Sequence, residues 1–307
     1  MAETSSLLNC RTGDCTGGSN PPLSANLKIM KKGIISLFSL AVSTILITSC
    51  GGGGEHDASQ MKVYNYEKAD SLSMDYLKEL GSVKINIEQS AKLYGTLRES
   101  GYSFDGSLMS PSSTNFSSSK QQALGLGVFS ASLAYGAVFE QQQNTTEYMG
   151  AIFGLADKLG ISDAFDKNLM EKLTSNDTTL NKNILLTKAY VNATDQLYSE
   201  DRAQLVTMMV AGGFIEGLLI STGATKVRFG NAEINYGIYE QVYSYDNTIK
   251  MLEVFKDNAD VGEVYKAFKE QEDVFKGVIK LHTPKKMKES DIEKLNAAVT
   301  QLKSKLL

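Results

Sequence analysis

Histidine and cysteine, the residues most used as catalytic bases, nucleophiles and zinc ligands, are scarce in this chain of 307 residues. The histidines are His56 and His282, and the cysteines are Cys10, Cys15 and Cys50. A catalytic triad needs a base held against a nucleophile, and zinc takes most of its ligands from His and Cys. The sequence therefore predicts no catalytic site of this kind, no metal site and no cofactor.

One acidic residue stands out because its surroundings are apolar. The segment Leu205–Ser221 reads LVTMMVAGGFIEGLLIS, and Glu216 is its only charged residue. A carboxylate in such a segment must be paired, be protonated or face a cavity, since an isolated buried charge is costly. We expect Glu216 to be a hydrogen-bonded structural group or one at the rim of the domain; the alternative is a polar contact in a ligand pocket.

Four tyrosines are candidates for lining the same pocket. Tyr236, Tyr239 and Tyr243 are spaced by three and four residues, which places them on one face of a helix. Tyr135 lies in the other strongly apolar segment of the chain. Such an aromatic stripe is typical of core packing, and its second interpretation is the wall of a pocket beside Glu216.

Two apolar segments must position these residues. Ala123–Phe139 and Leu205–Ser221 are apolar on every side, so as helices they belong inside protein or lipid. Their glycines allow close approach of backbones, and Gly213 and Gly217 match the small-xxx-small pattern of membrane helices. We expect a buried central pair of helices within the domain, and a membrane hairpin is the alternative.

The rest of residues 64–307 also has helical patterning, because Pro111 and Pro284 are the only prolines there and both lie in breaks. The predicted helices cover residues 64–80, 84–100, 118–142, 145–159, 163–175, 179–199, 201–222, 231–258, 261–281 and 289–307. Lys226–Phe229 is the best candidate for a strand. The predicted fold is all-α: a multi-helix antiparallel bundle of helix hairpins around the two central apolar helices.

Two further segments have a specific expectation. The serine-rich break Gly101–Ser119 is longer than most helix connections, so we expect it to be solvated and mobile, with a lid or partner-contact loop as the alternative. In the last helix, Ile292, Leu295 and Val299 begin a narrow apolar seam. We expect this seam to dock on the domain itself rather than on a partner helix.

Residues 30–50 have the order of parts found in bacterial lipoprotein signals. Lys31 and Lys32 form a basic region, Gly33–Ile47 is apolar, and small residues precede Cys50. The resemblance implies that a diacylglyceryl group is attached to the Cys50 thiol and that the chain is cut just before it. A transmembrane anchor is the alternative, although the apolar run is shorter than the ~20 residues of a typical span.

This signal divides the chain into four parts. Residues 1–29 are polar and look like an over-extended start or added residues, and residues 30–49 are the signal peptide. Residues 50–63 are the lipidated cysteine with a glycine-rich flexible tether, and residues 64–307 form the helical domain. The formal net charge of −4 speaks against nucleic-acid binding, which is driven by basic residues.

Three segments carry a second resemblance: QALGLGVFSASLAYGAVFEQ (122–141), EYMGAIFGLADKLGISDAF (147–165) and AGGFIEGLLIS (211–221). They are similar to an uncharacterised group of all-helical lipoproteins from Bacteroidota. The resemblance implies a helical fold and an outer-membrane location in the cell envelope, facing the periplasm or the cell surface. It implies no activity and no site residues.

The sequence thus predicts a membrane-anchored envelope lipoprotein with a non-enzymatic binding or envelope-assembly role. Its expected partners are the membrane, through acyl chains on Cys50, and an envelope protein. The first alternative is a helical small-molecule-binding protein with a pocket near Glu216. The second is an enzyme that uses carboxylates or tyrosines.

Overall fold

The computed structural model describes residues 81, 90–165, 167–175, 182–225 and 229–307. All of these belong to one compact unit, Lys62–Leu307. The predicted signal peptide, the tether, the helix at 64–80 and most of the strand candidate at 226–229 lie outside the described residues.

The prediction of an all-α fold is confirmed, since the described residues contain helices and no strand. The first helix, α1, is described over residues 90–99. The others are α2 (Ser119–Val138), α3 (Gln142–Lys158), α4 (Lys167–Thr174), α5 (Lys182–Ser199), α6 (Ala203–Thr225), α7 (Ala232–Val254), α8 (Ala259–Glu270), α9 (Glu272–Ile279) and α10 (Glu289–Leu306). Single 3₁₀ turns occur at Gly106–Leu108, Ser162–Ala164 and Pro284–Lys286.

Helices α2 and α6 are the two apolar segments of the sequence, and they pack against each other at the centre of the unit. Helix α2 begins with a capping box in which Ser118 and Gln121 bond each other's backbone N–H groups. Among the described helices, α6 alone is long and apolar enough to cross a membrane, but 89% of its most apolar window is buried within the protein. Both helices therefore serve as core.

Two glycines allow the backbones of α2 and α6 to touch. A Cβ atom on Gly127 would lie 1.9 Å from the carbonyl oxygen of Met209, and one on Gly212 would lie 2.0 Å from that of Leu124. Gly213 differs, because the nearest atom to its Cβ position is 3.7 Å away. The close contact thus depends on Gly127 and Gly212.

The other helices cover this pair. Helix α3 packs on α2, while α5, α7 and α10 pack on α6. The predicted docking of the last helix on the domain itself is confirmed: α10 buries an apolar seam against α6, α8 and α9, formed by Ile292, Leu295, Val299, Leu302 and Leu306. An aromatic cluster of Phe214, Tyr245, Phe268 and Phe275 fills the space where α6 to α9 meet.

Some helix boundaries differ from the predicted ones. Helix α3 begins at Gln142, before the predicted start at residue 145, and it ends as predicted before Gly160, whose φ is +69°. The helix expected at 261–281 is two helices, because the chain breaks at Gln271. Glutamine is a good helix former, so helix propensity does not predict a break at this residue.

Candidate functional site

The Glu216 side chain is completely buried and has four hydrogen-bond donors around it. The Ser110 backbone N–H and the Ser132 hydroxyl donate to Oε1, at 2.5 and 2.8 Å. The Ser110 hydroxyl and the Lys303 ammonium donate to Oε2, at 2.8 and 3.1 Å. These donors come from the segment before α2, from α2 and from α10, so one carboxylate joins three parts of the chain to α6.

These four donors saturate the hydrogen-bonding capacity of a carboxylate. The ion pair with Lys303 supplies the opposite charge that a buried carboxylate needs, and the Lys303 side chain remains 27% exposed. Because every acceptor position is occupied within the protein, Glu216 acts as a structural group, which was the first interpretation of the sequence. No acceptor position is left for a ligand.

The break Gly101–Ser119 passes over this carboxylate, and the expectation that it is solvated is confirmed for most of its residues, which are exposed. Met109, Ser110 and Phe116 are buried, and the Phe116 ring lies against Gly125, where a Cβ would be 2.3 Å from a ring carbon. The serine content of the segment suggested solvation. Its three buried residues and its bonds to Glu216 nevertheless attach it to the core, which speaks against the expected mobility.

Tyr148 is a further buried side chain that bonds to Ser110. Its hydroxyl donates a short hydrogen bond to the Ser110 carbonyl oxygen. Burial raises the pKa of Tyr148 to about 12, with smaller contributions from the charges of Glu216 and Glu147, while a hydrogen bond with Ser132 acts in the opposite direction. Both backbone polar groups of Ser110 are therefore bonded to buried side chains.

Tyr135, the candidate from α2, is a core residue. Its hydroxyl accepts a hydrogen bond of 3.1 Å from the Asp105 backbone N–H, and its ring stacks on Phe104. Burial raises the pKa of Tyr135, as does the nearby charge of Asp105. Its ring also meets that of Tyr94 edge-on, at 5.3 Å between centroids.

The three candidates from α7 lie together but with other partners. Tyr236 and Tyr243 are 53% and 41% exposed, whereas Tyr239 is buried. The Tyr239 hydroxyl donates to the carbonyl oxygen of Ile279 in α9, at 3.2 Å, and its ring contacts that of Tyr243. The structure does not gather the tyrosine stripe around Glu216.

A cavity that the sequence did not indicate lies between α1, α2, α5, α6 and α7. Its volume is about 100 Å³, and its wall includes Tyr94, Gly127, Gly213, Gly217 and Gln241. None of the five sequence-predicted pocket residues lines it. A smaller cavity of about 50 Å³ shares Ser130, Ala134 and Tyr190 with it.

Two residues in the cavity wall hold polar atoms without a partner among the described residues. The Tyr94 hydroxyl and both polar atoms of the Gln241 amide are buried and unbonded. Burial and the charge of Glu216 strongly raise the pKa of Tyr94, and the Ser221 hydroxyl weakly opposes this. Ser221 uses its own hydrogen on the Gly217 carbonyl oxygen, at 2.7 Å. Gln241 could have been suspected from sequence, because it is a polar residue between core positions of α7.

Comparisons with known proteins add no further constraint. No known family model, curated protein or solved structure matches this chain. Among the described residues, no group of three or more His, Cys, Asp or Glu side chains is arranged to hold a metal ion. The resemblance to helical lipoproteins of Bacteroidota therefore stays a prediction.

Proposed function

We propose that this chain is a lipoprotein of the cell envelope, anchored in the outer membrane through acyl chains on Cys50, with a non-enzymatic binding or assembly role. The anchor is inferred from the order of residues 30–50: a basic start, an apolar run and small residues before the cysteine. Two or more acyl chains provide a durable hold on a membrane. The glycine-rich residues after Cys50 would then act as a flexible tether for the helical domain.

The observation that carries the non-enzymatic part of the proposal is the saturation of Glu216. A general acid or base must exchange a proton with a substrate within hydrogen-bonding reach. The Glu216 carboxylate is fully buried, and its positions are taken by Ser110, Ser132 and Lys303. The residue with the clearest potential for chemistry is thus committed to holding the fold together.

A second candidate function is small-molecule binding, which the cavity beside Tyr94 and Gln241 favours. The sequence placed the pocket near Glu216. The unbonded polar atoms of Tyr94 and Gln241 favour a different position along α6, where Gly213 and Gly217 line the cavity. This role is compatible with a lipid anchor, since a domain that binds a small molecule can also be tethered to a membrane.

The anchor is tested by expressing the full chain in bacteria fed a clickable fatty acid. Wild type and Cys15→Ala should be labelled and should sediment with membranes, whereas Cys50→Ala should lose the label. Cys15 is the matched control because it precedes the proposed signal. Labelling of Cys50→Ala would overturn the lipoprotein assignment. Proteins cross-linked to the labelled wild type, but absent from the Cys50→Ala sample, would identify an envelope partner.

A further inference from the structure

The cavity between α1, α2, α5, α6 and α7 has the composition of a small-molecule site. Gly213 and Gly217 leave room on its α6 side, and Phe214 and Leu218 contribute apolar surface. Ser130 and Thr248 also line it, but their hydroxyls donate to backbone carbonyl oxygens, at 2.6 and 2.8 Å. The wall is therefore apolar with few free polar groups, as ligand pockets usually are.

Two polar side chains in the cavity wall lack hydrogen-bond partners within the described part of the chain. The Tyr94 hydroxyl and the Gln241 amide are buried without a partner, and leaving such a group unbonded costs roughly 1–3 kcal/mol. Gln241 is only 5% exposed, so bulk solvent does not satisfy it. Together the two side chains offer hydroxyl and amide donors and a carbonyl acceptor. A bound molecule with both a donor and an acceptor would satisfy them.

The charge and size of that molecule follow from the wall. No charged side chain lines the cavity among the described residues, and an ion without an opposite charge would bear a large desolvation cost. A cavity of about 150 Å³ holds benzene in another protein, so about 100 Å³, with the adjoining 50 Å³, suits a body of similar size.

We propose that this cavity binds a small uncharged molecule with an apolar body and a hydroxyl or primary-amide head group, held by Tyr94 and Gln241. The proposal deepens the binding role proposed above and rests on it. It does not depend on lipidation, so the Cys50→Ala experiment and the one below can fail separately.

The test uses the full-length protein in whole bacterial cells, whether or not it is bound to a membrane, and a short aliphatic diazirine alcohol as the photo-crosslinking probe. The amine and carboxylic acid of the same chain length serve as comparisons. We expect saturable labelling by the alcohol on peptides of α2, α6 and α7, at least fivefold above either charged probe. Mapping the labelled peptides separates binding in the cavity from partition into lipid.

Variants complete the test. Gln241→Met and Tyr94→Phe remove the polar contacts, and Ala134→Leu fills the cavity without altering them. Each should reduce labelling at least fivefold, while Gly150→Ala, a site with open space around it, should not. Circular dichroism checks that each variant is folded. One folded variant is enough for the labelling comparison. Equal labelling by all three probes, or labelling that survives cavity filling, would overturn the proposal and indicate a cavity that holds only water.

Discussion

The backbone N–H of Ser110 donates a 2.5 Å hydrogen bond to Oε1 of Glu216, across 106 residues of sequence. This bond fixes the segment before α2 onto the centre of α6. With Ser132 and Lys303, it makes one carboxylate the meeting point of α2, α6, α10 and the long break.

Replacing Glu216 with Gln should lower the free energy of unfolding by about 2–4 kcal/mol. The amide offers one acceptor oxygen in place of two and leaves Lys303 without its counter-charge. Urea denaturation of the full-length protein in detergent measures the change. The control is Glu263→Gln, which breaks the half-exposed ion pair with Lys120 and should cost less than about 1 kcal/mol. Equal midpoints for Glu216→Gln and wild type would contradict a structural role.

The long break should behave as ordered chain. Because the Ser110 amide is buried and bonded to Glu216, its hydrogen should exchange slowly with solvent, at a rate close to that of core amides of α6. Hydrogen exchange read by mass spectrometry of peptides from residues 101–119 measures this. Exchange as fast as in an unstructured peptide would show that the segment is mobile after all.

Helix packing gives a prediction with an internal control. Gly127→Ala and Gly212→Ala would each place a methyl group within about 2 Å of a backbone oxygen, so each should destabilise by about 3 kcal/mol or more. Gly213→Ala meets its nearest atom at 3.7 Å and should be neutral or slightly stabilising, because alanine favours helix. Thermal melting compares the three. A larger loss for Gly213→Ala than for Gly127→Ala would refute the contact described.

Stability should fall at alkaline pH. The pKa of Tyr148 is about 12 in the folded protein and about 10 when unfolded, so the unfolded chain loses this proton first. The stabilisation is complete below pH 10 and is lost as the pH rises towards 12. Unfolding of wild type and Tyr148→Phe at pH 8 and pH 11 measures it. The variant should be about 1 kcal/mol less stable at pH 8 and should lose less by pH 11. Parallel pH profiles would contradict this.

The sequence predicted the helical class and the burial of its two apolar segments. A helix that is apolar on every side must lie inside protein or inside lipid, and the amphipathic helices around these two favoured protein. The sequence also identified Glu216 as unusual. Its partners could not be foreseen, since Ser110 and Ser132 are ordinary serines whose distance from Glu216 depends on the tertiary fold. The glycines were recognised as contact residues. Which of them touch depends on the rotation of each helix about its axis, and composition does not report that rotation.

The cavity could not be predicted for a related reason. A cavity forms where side chains from several helices fail to meet, and it has no local sequence signal. Gln241 was the available hint, because it sits among the buried positions of α7, near Ile238 and Tyr245. A polar side chain at a core position predicts either a partner or a site.

The central claim is that Cys50 is the lipid-modified first residue of the mature protein. The most direct measurement is mass spectrometry of the amino-terminal peptide of the protein purified from bacterial membranes. We expect a peptide that begins at Cys50, with nothing before it, carrying a diacylglyceryl group on sulfur and an acyl chain on its α-amino group. An unmodified Cys50 within a peptide that still contains residues of the 30–49 segment would contradict the account.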